Sequence, residues 1–168
     1  VIDNQSDKFT RDIKEIDSNH LKDGNVLIKI DYSSLNYKDA LILKDGGKIV
    51  RKFPFVPGID FSGKIVESGD DKFKKDETVI CTGFRVGEMY YGGFSQYAKV
   101  DSNFLIKNPK NIDAEQSMML GTAGFTALLC AAAVRAKEEL LLGEKVKDVL
   151  VTGATGGVGS IAVMILSK

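Results

Sequence analysis

The chain has 168 residues, 43% hydrophobic and 27% charged, with 23 Lys and Arg balanced by 23 Asp and Glu. This composition excludes a disordered chain and gives enough length to bury a core. Zero formal net charge argues against a general nucleic-acid binder. The apolar runs at 128–134 and 161–166 fall far short of the roughly 20 residues of a membrane-spanning helix, so a cytoplasmic protein is expected.

The opening "VIDNQSDKFTRDIKEID" has no basic head, apolar middle or small-residue cleavage site, and no secretory signal is read there. The missing initiator Met and the abrupt end predict a fragment. His20 lies in the polar stretch "DSNHLKDG" and reads as a solvated surface residue. "NVLIKIDY" then places Val26, Ile28, Ile30 and Tyr32 on one side of a period-2 strand and Leu27, Lys29 and Asp31 on the other. "NYKDALIL" predicts a short helix. Further strands are expected at "FSGKIVES", "ETVIC" and "GFSQYAKV", separated by turn signals, which together indicate a compact β domain or barrel up to about residue 110. Cys81 and Cys130 fit a reducing compartment and read as inert core thiols, with no neighbouring His or paired Cys to activate them.

From Asp113 the texture changes. Asp113 and Gln116 have the spacing of a capping box, and the Ala- and Leu-rich sequence through residue 142 predicts helix, broken near Gly121 and Gly124. "KDVLVTG" predicts a buried parallel strand, because its apolar residues run together, and "GVGSIAVMILSK" a helix.

Between those two elements Gly153, Gly156 and Gly159 lie three apart. In a strand–turn–helix setting this is a variant of the dinucleotide fingerprint: glycines let backbone amides approach a pyrophosphate, which the helix dipole also favours. A mononucleotide phosphate loop would need Lys and then Ser or Thr after the last glycine, whereas Val158, Gly159 and Ser160 stand here. Nine residues follow Gly159, too few to include the next strand, which lies roughly 20 residues on and carries the adenosine-ribose contacts. The chain is therefore expected not to complete a cofactor site.

"SSLNYKDAL" (33–41), "FPFVPGIDFSG" (53–63), "GEMYYGGFSQYA" (87–98), "GTAGFTA" (121–127) and "VTGATGGVGS" (151–160) together resemble the medium-chain dehydrogenase/reductase superfamily. The resemblance covers essentially the whole chain. It is greatest to the zinc-free, quinone-oxidoreductase-like branch that includes the acrylyl-CoA reductases of the YhdH/AcuI type. It implies a mixed α/β fold, with a GroES-like β-rich catalytic domain at 1–111, whose first strand is allowed to be missing from this chain. The start of a Rossmann cofactor-binding domain would follow at 112–168.

The implied activity is NADPH-dependent reduction of the carbon–carbon double bond of acrylyl-CoA or a similar enoyl thioester. The alternatives are a quinone or enone oxidoreductase using the same cofactor and a noncatalytic cofactor-binding relative. Zinc-dependent relatives carry Cys at the position of Asn36 and a His-Glu pair near Ile59 and Asp60, so no metal site is implied. Tyr37 resembles the tyrosine beside the nicotinamide, with Asn36 and Asp39 as its active-site neighbours. Thr122 resembles the threonine near the nicotinamide, and Thr155, Gly156, Gly157 and Val158 match the stretch that contacts the cofactor phosphates. Without the resemblance, Asn36 and Asp39 read equally well as helix caps. Lys48, Arg51 and Lys52 read as a solvated basic face. The expected partners are a small-molecule substrate, acyl-CoA thioester or quinone, with no nucleic acid or membrane; a homodimer is allowed for the full-length protein.

Overall fold

In the computed structural model, residues 6, 7, 22, 23, 47, 141–145 and 147 and the side chains at 5, 18 and 138–140 lie outside the described set. The chain divides into two compact units, Val1–Met119 and Leu120–Lys168.

The first unit begins with an antiparallel hairpin of β1 (Ile2–Gln5) and β2 (Lys8–Arg11), which the sequence pattern did not disclose. β3 (Val26–Ser34), α1 (Tyr37–Asp45), β4 (Asp60–Ser68), β5 (Thr78–Thr82), β6 (Tyr97–Val100) and β7 (Leu105–Lys107) follow. The last five strands form one antiparallel sheet in the order β6-β3-β4-β5-β7. Its core gathers Val26, Ile28, Phe61, Ile65, Val79, Cys81, Ala98 and Val100. The expected alternation holds through Val26 and Ile28, then fails at Tyr32, which is exposed. The cause is a bulge: the register passes from Ile30 opposite Gly63 to Tyr32 opposite Ser62, leaving Asp31 as the extra residue. The strand expected over "GFSQYAKV" is limited to its second half, because Gly93–Gln96 bends before Tyr97.

A second apolar cluster of Ile2, Ile42, Val50 and Phe55 fixes the hairpin and α1. The open carbonyls at the end of α1 are satisfied from two sides. Arg11 donates to the carbonyls of Leu43 and Lys44, and Gly46, in the left-handed region, donates its amide to Ile42.

α2 (Ala114–Leu140) starts with the expected capping box, Asp113 and Gln116 bonding each other's amide at 3.0 and 2.8 Å. Its first turn and a half belong to the first unit. There Ser62 Oγ donates to the Ala114 carbonyl at 2.9 Å and Ser34 Oγ to that of Met118. The expected break into two pieces falls at Gly121, with φ 48° and ψ −152°; Gly124 lies within the helix. α2 also corrects the expectation of short apolar runs: Ala114–Lys137 is long and apolar enough to cross a membrane by length and composition. The break at Gly121 divides that stretch below the roughly 20-residue spanning length.

In the second unit, α3 (Gly157–Leu166) follows the glycine loop as expected. The strand expected over 147–153 is not formed at its described residues, and Val149 and Leu150 are exposed. A parallel strand exists by its ladder to neighbours, and the second unit contains no other strand among its described residues. Lys147 lies outside the described residues.

Candidate functional site

Asn36 caps α1 with an extended backbone (φ −115°, ψ 160°), and Tyr37 and Asp39 occupy the first turn behind it. The cap geometry sets the three side chains apart in environment. Tyr37 is 81% exposed, Asn36 is half-buried, and Asp39 is fully buried.

Asp39 Oδ2 accepts the Asn36 amide at 2.9 Å and Oδ1 the Ile59 amide at 3.0 Å. One carboxylate thereby ties the start of α1 to the residue before β4. Burial pushes its pKa above the ordinary 3.8, partly opposed by these hydrogen bonds. With both oxygens engaged inside the fold, Asp39 orients the motif rather than presenting a free carboxylate. The Asn36 carboxamide donates from Nδ2 to Asp60 Oδ2 at 3.0 Å. Asp60, also fully buried, therefore joins this constellation, although the sequence marks it only as a replaced zinc-ligand position and not as a site residue. The available signal was a carboxylate within the apolar run "FVPGIDF".

On β5, opposite Phe61, Cys81 is buried and its thiol is pushed up to about 12 by desolvation, with the negative charge of Asp60 adding to the effect. Cys81 is the inert core thiol expected; Cys130 is instead exposed on α2. His20 is exposed, as read from the sequence. Among the described residues, no cluster of three or more His, Cys, Asp or Glu could hold a metal.

The remaining candidates lie in the second unit. Gly153 has φ 63°, a left-handed turn that glycine adopts without strain. The amide of Gly156 returns to the Gly153 carbonyl at 2.9 Å. A Cβ on Gly159 would overlap that same carbonyl, so the loop closes on itself only because position 159 has no side chain. Gly156 then caps α3, and Thr155, Gly156, Gly157 and Val158 are exposed around its N-terminus. The first amides of a helix lack acceptors within it and carry the positive end of its dipole, so this open cradle fits a phosphate group. Thr122 is half-buried on α2, and a Cβ on Gly157 would stand 3.3 Å from the neighbouring Ala123 Cβ. The Thr122 segment and the loop are thus packed together. Asn36, Tyr37 and Asp39 form one group in the first unit, and Thr122 and residues 155–158 another in the second.

Residues 22–110 match the alcohol dehydrogenase GroES-like domain. Over 165 residues the chain is 46% identical to acrylyl-CoA reductase AcuI of Ruegeria pomeroyi, covering 98% of this chain and 49% of that protein. The yhdH oxidoreductase of Salmonella enterica, solved in complex with NADP, superposes with a TM-score of 0.90 at 40% identity, covering 98% of this chain and 50% of that one. Bacillus subtilis yhfP, solved with NAD bound, gives 0.89 at 41%, covering 98% and 49%. The chain spans about half the length of the curated relatives it matches. With the domain match covering more than half of its residues, the chain belongs to the alcohol dehydrogenase GroES-like domain family of the medium-chain dehydrogenase/reductase superfamily.

Proposed function

We propose that the protein is an NADPH-dependent oxidoreductase that reduces the carbon–carbon double bond of acrylyl-CoA or a similar enoyl thioester. The observation carrying this reading is the pairing of an open glycine cradle at the start of α3 with a polar Asn36–Asp60 constellation in a chain 46% identical to an acrylyl-CoA reductase. NADP in the Salmonella relative favours a phosphorylated cofactor. Residues 1–111 serve as the catalytic domain and 112–168 open the cofactor-binding domain.

When bound, the cofactor supplies a hydride for the β-carbon of the thioester; the displaced π electrons pass to the carbonyl as an enolate, and a proton is taken up at the α-carbon. In the second unit Thr155, Gly156, Gly157 and Val158 would hold the phosphates and Thr122 would contact the nicotinamide; in the first unit the exposed Tyr37 is the nicotinamide-facing residue by resemblance. Asn36, oriented by Asp39 and Asp60, sits on the substrate side. Such a site works by holding the reacting carbons within a few ångströms and by aiming dipoles at the developing charge.

The test is NADPH oxidation by the protein expressed from its complete reading frame, with acrylyl-CoA and a simple quinone in parallel at matched concentrations. A strong preference for the thioester is expected, with a marked loss in Tyr37→Phe. Preference for the quinone would replace the substrate assignment, and no turnover of either would leave a cofactor-binding protein.

A further inference from the structure

We propose that Glu88 is a positioning residue for the substrate site, an inference that rests on the reading of Asn36 and Tyr37 given above. The Glu88 side chain is only 15% exposed, and its Oε1 accepts Lys38 Nζ at 2.8 Å, while Arg85 Nε lies 3.8 Å from Oε2. Lys38 follows Tyr37 in the first turn of α1, fifty residues away in sequence. Glu88 therefore reaches out of the loop between β5 and β6 to grip the turn that carries the site.

That loop is itself fixed. Gly87, at φ 74°, packs so closely on the chain before β4 that a Cβ there would lie 2.6 Å from the Gly58 carbonyl. The amides of Gly92, Gly93 and Phe94 bond the carbonyls of Val56, Gly58 and Pro57 at 2.8, 2.8 and 2.9 Å. The next residue of that segment, Ile59, is the one whose amide Asp39 accepts. The contacts close a ring: first turn of α1, Asp39, Ile59, Gly58, Gly87, Glu88, Lys38 and back to α1. Asp39 holds the turn from inside the fold and Glu88 holds it from outside, both through one backbone knot. Phe84 and Arg85, at φ 52° and 63°, occupy a left-handed region costly for non-glycine residues, at the point where the loop turns to present Glu88.

The test uses the full-length protein. Glu88→Gln and Lys38→Met should each lower kcat about tenfold while KM for NADPH stays within about twofold, since misplacing a reacting group costs turnover. The double variant should be no worse than either single one, and Lys38→Arg should restore most of the loss. Additive losses, or an unchanged kcat in Glu88→Gln, would overturn the proposal. Hydrogen exchange supplies a readout independent of turnover: amides in residues 34–44 should exchange faster in Glu88→Gln, with those of β5 and β7 unaffected. Faster exchange in a protein that turns over no substrate would remove the catalytic reading and keep the anchor; unchanged exchange would remove the anchor itself.

Discussion

Replacing Asp39 with alanine removes both acceptors that hold the Asn36 and Ile59 amides. An unpaired buried donor costs about 1–3 kcal/mol, so two set the gross loss near 2–6 kcal/mol. Part is returned, because burial already disfavours the ionised carboxylate and keeps its pKa above 3.8. The net expectation is a loss of about 2–4 kcal/mol. Asp39→Asn keeps one acceptor oxygen and should lose about half as much. The pH dependence carries a definite sign. The folded chain retains this proton to higher pH than the unfolded chain, so the stability it contributes is full below 3.8 and falls as pH rises through the folded value. The asparagine variant has no such titration, so the wild-type advantage over it should be greatest in acid and shrink across that window. Urea unfolding followed by far-UV circular dichroism at stepped pH measures both quantities. An alanine loss under about 1 kcal/mol, or a wild-type advantage that grows with pH, would refute the buried-clamp reasoning.

In the full-length protein, Gly159→Ala places a methyl group onto the Gly153 carbonyl and should weaken NADPH binding at least about tenfold by fluorescence titration; Gly157→Ala, with 3.3 Å to Ala123 Cβ, should be milder, and equal effects would contradict the closed-loop geometry. Phe61→Ala in the fully buried core should cost about 3–5 kcal/mol in the same unfolding assay, and a loss below about 1 kcal/mol would show that the sheet is not packed on it. Iodoacetamide at pH 8 should label Cys130 and spare Cys81, whose buried thiol, pushed up to about 12, supplies little thiolate at that pH; labelling of Cys81 in the native protein would contradict its burial.

The sequence disclosed elements wherever a local rule is sufficient. Period-2 alternation found β3 through Ile28, and the Asp113–Gln116 spacing found the start of α2. It misplaced Tyr32 because a bulge is set by the partner strand rather than by β3 itself. It proposed a strand at 147–153 from apolar composition, whereas ladder bonds require neighbours that the described residues of the second unit do not provide. Gly124 lies within the helix, where a Cβ would stand 2.9 Å from the Leu120 Cβ, while Gly121 departs in φ and ψ. Of the site, Asn36, Tyr37 and Asp39 were legible as a cap motif, but their differing burial was not. Asp60 and Glu88 were not legible, since each meets its partner across 24 and 50 residues of chain.

The most direct measurement uses NADPH deuterated at both C4 positions, incubated with the full-length protein and acrylyl-CoA, with the product analysed by mass spectrometry and NMR. Hydride transfer to the β-carbon predicts propionyl-CoA carrying one deuterium at C3 and none at C2. Deuterium at C2, unlabelled product, or cofactor oxidation without any reduced thioester would contradict it.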